Sequence, residues 1–77
     1  MGSFRPLPTK CWEKYLTMYG FKYNRTKGSH DQWVKKGHRT IPVWGNEKEI
    51  PAMHLRTGCR SIGCSIDDLY KWAEKNC

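Results

Sequence analysis

Apolar and polar positions change period twice along this chain, and each change marks a new element. Across residues 10–19, Trp12, Tyr15, Leu16 and Tyr19 recur at spacings of three and four, the period of a helix with one buried face. Thr9 precedes this run as an N-cap residue, and Gly20 follows it as the C′ residue at which helices commonly end. The period then drops to two. Phe21, Tyr23 and Arg25 alternate with Lys22, Asn24 and Thr26, which predicts a strand. Lys27-Gly28-Ser29 reads as a turn into a second strand over residues 30–35, where His30, Gln32 and Val34 alternate with Asp31, Trp33 and Lys35. Lys36-Gly37-His38 turns the chain again, and residues 39–44 make a third strand with Ile41 and Val43 inward. Pro42 has no N–H for a ladder, so this strand lies at a sheet edge or turns its proline outward.

Gly45-Asn46 closes the sheet, and the helical period returns. Pro51 suits the first turn of a second helix, whose apolar face is Ala52, Leu55, Cys59 and Ile62. Gly58 within it costs about 1 kcal/mol relative to alanine, and marks either a close neighbour or a break. After Gly63, Ser65 caps a last helix, with Asp67 and Asp68 at its positive end and Ile66, Leu69, Tyr70 and Ala73 on its apolar side. The expected class is α+β: helix, three-stranded antiparallel sheet, helix, and an additional short C-terminal helix. Residues 1–8, broken by Pro6 and Pro8, read as a flexible or loosely docked N-terminal arm, and residues 9–77 as a single domain.

Charge narrows the partners. The 77 residues carry 14 Lys and Arg against 7 Asp and Glu, a net charge of +7, which fits a polyanion binder. It is also uneven: between Phe21 and Arg39 stand Lys22, Arg25, Lys27, Lys35, Lys36 and Arg39, with Asp31 as the one acid. Glu47, Glu49, Asp67 and Asp68 come later. A basic run by itself is ordinarily a solvated surface. Tyr23, Trp33 and Trp44 interleaved with this one favour nucleic acid, since bases stack on such faces. Trp33 shares a strand face with Asp31 and Lys35, where packing under a helix competes with stacking and is the preferred reading.

No segment is long and apolar enough to span a membrane, and residues 1–8 lack the apolar centre of a signal peptide, so a cytoplasmic protein is expected. Cys11, Cys59, Cys64 and Cys77 contain no Cys-x-x-Cys pair, and the histidines give no zinc-finger spacing. The cysteines are accordingly expected to be reduced, with neither metal nor other cofactor required. A disulfide-stapled secreted basic peptide is the competing reading.

The chemistry centres on His30. RNA carries its own nucleophile, the 2′-hydroxyl, so cleavage needs a base to take that proton and cations to stabilise charge on the phosphate. An imidazole, titrating near 6.5 when unperturbed, suits the base. A glycine turn presents His30 at a strand start, and the Gly28 backbone lets a phosphate approach closely. Lys27 or Arg25 can neutralise that phosphate, and Ser29 can position an oxygen or the histidine. The candidate RNA-binding set is Lys22, Arg25, Lys27, Gly28, Ser29, Lys35, Lys36 and Arg39. A lone turn histidine is more often a solvent or phosphate contact than a base. His38 reads as an exposed turn residue, and His54, off the Leu55–Cys59 face, as a surface residue.

An ordered set of motifs adds to this. Tyr19-Gly20-Phe21, Arg25-Thr26-Lys27-Gly28-Ser29-His30, Arg39-Thr40-Ile41-Pro42-Val43, Gly45-Asn46, Glu49-Ile50-Pro51, Leu55-Arg56 and Ile62-Gly63 together resemble the HicA, or YcfA-like, family of bacterial toxins, over roughly residues 10 to 70. The resemblance implies a double-stranded-RNA-binding-domain-like fold, metal-independent endoribonuclease activity on mRNA, a HicB-like antitoxin partner, and His30 at the catalytic histidine position. This chain departs from the pattern at Trp44, where many relatives carry histidine or another polar residue, and at Gly58 and Arg60, where ordinary helix formers are usual. A non-catalytic small RNA-binding module, using the same sheet and basic turns, is the alternative.

Overall fold

The first helical run closes much as its sequence dictates. In the computed structural model, which describes residues 5–77, α1 spans Thr9–Met18 and buries Cys11, Trp12, Tyr15 and Leu16. Its end is a Schellman motif: the Gly20 amide donates to the Thr17 carbonyl at 3.0 Å and the Phe21 amide to the Leu16 carbonyl at 3.0 Å. Its start differs from expectation. Pro8 occupies the N-cap and the Thr9 side chain does not cap. Instead Thr9 Oγ1 donates to the Glu47 carbonyl at 2.6 Å and its amide to the Lys48 carbonyl at 2.9 Å, so the residue ties α1 to a distant loop.

The segment before α1 is also more ordered than its prolines imply. Leu7–Pro8 forms a short strand, β1, antiparallel to β5 (Glu49–Ile50), with Leu7 opposite Ile50 and both buried. A proline at a two-residue edge gives up nothing that this ladder needs. Arg5 continues the docking. Its amide donates to Tyr70 Oη at 2.8 Å, Tyr70 Oη donates to its carbonyl, and its guanidinium lies 4.6 Å from the Tyr70 ring centroid. The expected arm thus has structure over residues 5–8, while residues 1–4 fall outside those described.

Between the helices runs the expected meander: β2 (Lys22–Lys27), β3 (His30–Val34) and β4 (Ile41–Val43), antiparallel in the order β2-β3-β4. β4 is an edge strand with Pro42 exposed. Ile41 pairs with Trp33 and Val43 with Asp31, so the buried Ile41 and Val43 define the inner face. Trp33 packs half-buried against the core, as preferred, although its Nε1–H finds no hydrogen-bond partner.

α2 (Ala52–Ile62) follows Pro51, its N-cap, and buries Leu55 and Cys59; α3 (Ile66–Asn76) buries Leu69, Tyr70 and Ala73. The Asp68 amide donates to Ser65 Oγ at 3.1 Å, the expected cap. At 11 residues α3 equals α2 in length, longer than the short helix expected. Gly58 resolves into a close approach: a Cβ there would stand 2.4 Å from Trp12 Cζ2. Helix, three-stranded antiparallel sheet and helices make an α+β fold of the double-stranded-RNA-binding type.

The cysteines correct another expectation. Cys11 and Cys77 form a disulfide, Cα atoms 6.0 Å apart, joining the first turn of α1 to the residue after α3. Lys14 Nζ, donating to the Asn76 carbonyl at 3.1 Å, ties α1 to the end of α3 a turn further along. Sequence spacing could not show this, because the partners are 66 residues apart. Cys59 and Cys64 are free thiols. Burial, then Cys64 beside it, pushes the Cys59 thiol up, so it stays protonated. Among the described residues, no helix is long and apolar enough to cross a membrane.

Candidate nucleic-acid interface

The β2–β3 hairpin turns on two residues. Lys27 pairs with His30, leaving Gly28 and Ser29 as the loop, with Gly28 at φ +65°. That left-handed conformation favours glycine, and open space surrounds the position, so the backbone stays approachable. His30 is half-buried at the start of β3.

A bulge decides which cations join it. The register shifts between Tyr23 and Arg25, so Tyr23 lies opposite Trp33 whereas Arg25 lies opposite Gln32. The extra residue, Asn24, breaks the simple alternation expected for this strand and moves Arg25 to the face opposite Tyr23. Lys22 pairs with Val34, Arg25 with Gln32 and Lys27 with His30, so all three cations share the outer face with His30. Asp31 projects to the other face, where it accepts from Thr26 Oγ1 at 2.6 Å, and Thr26 in turn bonds Tyr23 Oη at 2.8 Å. The one acid of the basic segment is thereby kept off the cationic face. It is felt on the inner side, where burial first and then the Asp31 charge push the Glu13 carboxyl above its ordinary value, partly offset by Lys10.

Trp44 extends the outer face past the end of β4. The His30 ring stands edge-on to it, centroids 4.4 Å apart and planes at 70°. Against Trp44 also stacks His54, centroids 4.4 Å apart and planes at 18°. Two hollows flank this stack. One of about 130 Å³ is lined by Ile41, Pro42, Trp44, His54, Thr57 and Ser61 among others; one of about 230 Å³ by Trp44, Glu47, Glu49, Pro51 and His54. A wider open groove of about 780 Å³ lies among Pro6, Asn46, Lys48 and Pro51, and none of the candidate residues line it.

The remaining candidates separate. Gly28 and Ser29 stay with His30, but Lys35 does not. Lys35 Nζ donates to the Tyr19 carbonyl at 2.6 Å and sits 5.8 Å from the Phe21 ring centroid, completing the C-terminus of α1. Lys36 is exposed in the β3–β4 turn, and Arg39 lines a separate hollow with Gly37, His38, Arg60 and Ser61. His38, exposed as expected, also meets the Phe21 ring edge-on at 5.6 Å. His54 reads from the sequence as a surface residue, and its packing on Trp44 is what the sequence does not announce. It is exposed, but its contact with Trp44 bridges ten positions, from the segment after β4 to α2, and no periodicity relates them.

The fold is a small α+β domain that gathers cations, a histidine and a tryptophan on one sheet face. The sequence profile of the HicA toxin of bacterial toxin–antitoxin systems matches residues 12–64, more than half of the chain. The chain belongs to that family of toxins. No curated protein and no solved structure matches it.

Proposed function

We propose that this toxin is an endoribonuclease that binds mRNA on the outer face of the β2–β3 hairpin and cleaves it with His30 as general base. The observation that carries the reading is the company His30 keeps: Lys27 directly across the hairpin, Arg25 and Lys22 on the same face, and an open glycine turn beside it. In this reading the Gly28–Ser29 turn admits the scissile phosphate. His30 takes the 2′-hydroxyl proton, the 2′-oxygen attacks phosphorus, and Lys27 and Arg25 stabilise charge on the non-bridging oxygens. The products are a 2′,3′-cyclic phosphate and a 5′-hydroxyl, and the route asks for no metal. A HicB-like antitoxin acts most simply by covering this basic face, with acidic groups complementing its charge.

Expression is the test. The wild-type chain should arrest growth, and His30→Ala should relieve arrest and slow RNA cleavage about 10²–10⁴-fold while leaving the thermal midpoint unchanged. An His30→Ala chain that remains fully toxic sinks the assignment of the base. Products ending in 5′-phosphate, or cleavage lost on chelation, sink the metal-independent route. RNA retention without cleavage would leave the binding-module alternative standing.

A further inference from the structure

The reaction just proposed needs two proton transfers on opposite sides of phosphorus, and His30 accounts for one. We propose that His54 is the other acid–base group, the general acid that protonates the departing 5′-oxygen; this rests on the reading of His30 as base. The geometry that points there is the shared indole. Each imidazole centroid is 4.4 Å from that of Trp44, so the two imidazoles are at most about 9 Å apart. A phosphodiester hydrogen-bonded to one imidazole at about 3 Å is therefore close enough for the other to reach.

Other donors fit less well. Lysine and arginine hold their protons too tightly for efficient donation near neutral pH. Carboxylic acids as a class are ionised near neutral pH and have no proton to give. His38 packs on Phe21 in the β3–β4 turn, against a different ring. His54 is exposed, so substrate can reach it, and the hollows on either side of the Trp44–His54 stack offer room for a leaving nucleotide. Trp44 then acts as a positioning residue, holding both imidazoles by ring packing. In the step itself the 2′-O–P bond forms as the P–O5′ bond breaks. The 2′-hydroxyl proton goes to His30, and a proton on His54 goes to O5′, so charge and atoms balance.

An RNA oligonucleotide with one scissile linkage, made with either oxygen or sulfur at the 5′-bridging position, separates the roles. A thiolate departs without a proton, so loss of a general acid should not slow it. His54→Ala and the bulkier His54→Gln are each expected to slow the oxygen substrate about 10²-fold or more and the sulfur substrate by less than tenfold. His30→Ala should slow both. His54 variants that cleave the oxygen substrate at the wild-type rate overturn the inference, as do variants that lose both substrates equally. If His54 fails while His30→Ala still abolishes cleavage, the ribonuclease reading survives. A wild-type chain that cleaves neither substrate overturns both.

Discussion

The helical half of this molecule and its β2–β3 hairpin are built on opposite principles. In α1, five of the ten residues, Thr9, Cys11, Trp12, Tyr15 and Leu16, are buried; in β2 all six are exposed. The helices contribute most of the core, whereas the hairpin contributes cations, a glycine turn and His30. Stability and candidate chemistry therefore reside in different side chains, and each can be disturbed with little effect on the other. The two halves meet at β4, whose Ile41 and Val43 point into the core while its far end leads to Trp44.

The largest break in the contrast is expected at the disulfide. Cys11–Cys77 closes a loop with a sequence separation of 66, and chain-entropy reasoning puts its contribution at about 4 kcal/mol. Reduction should lower the denaturation midpoint accordingly, yet leave RNA affinity intact wherever the protein is still folded, because the bridge joins α1 to the end of α3. Thiol titration of the unreduced, denatured chain should count two free thiols, Cys59 and Cys64. Four thiols, or a midpoint indifferent to reductant, would show the bridge to be absent.

Gly58→Ala comes next. Alanine gains about 1 kcal/mol of helix propensity, but its methyl would stand 2.4 Å from Cζ2 and 2.8 Å from Cη2 of Trp12. Trp12 is 1 % exposed and has no free direction to move, so overpacking, about 1–3 kcal/mol, wins. Urea denaturation should show a net loss of about 1 kcal/mol, with the RNA binding proposed for the hairpin retained. A stabilised variant would mean that the helix had simply been carrying a poor residue.

These two sites also show where sequence reasoning stops. Helix faces such as Trp12-Tyr15-Leu16 and Leu55-Cys59 are legible because burial repeats with the local period, and so is Ser65, whose bond to Asp68 is local. The order of elements and the place of His30 follow from the same local signals. Interactions across the chain leave no such trace. Thr9 has the chemistry of a cap but spends its hydroxyl on Glu47, 38 residues away. A single bulge residue, Asn24, moves Arg25 to the other face, and nothing in alternating polarity announces it in a strand exposed throughout. His54 meets Trp44 only because α2 starts beside the end of β4, a tertiary fact.

The smallest expected stability effects sharpen the comparison most, because they set cation against cation. Arg25 and Lys27 lie on the exposed outer face, so replacing both with glutamine should move stability by no more than about 0.5 kcal/mol. If each neutralises one phosphate of a single strand, the plot of log affinity against log salt should become shallower by about 1.4. Lys35→Gln should behave in the reverse way. It removes a cation bonded to the Tyr19 carbonyl at the end of α1, worth about 0.3–1 kcal/mol, and should leave the salt slope alone. The three lysines and arginines are equivalent in composition, and only their placement distinguishes them. Equal salt slopes for the two variants would show that RNA does not use the outer face, and with it the place proposed for His30 would fall.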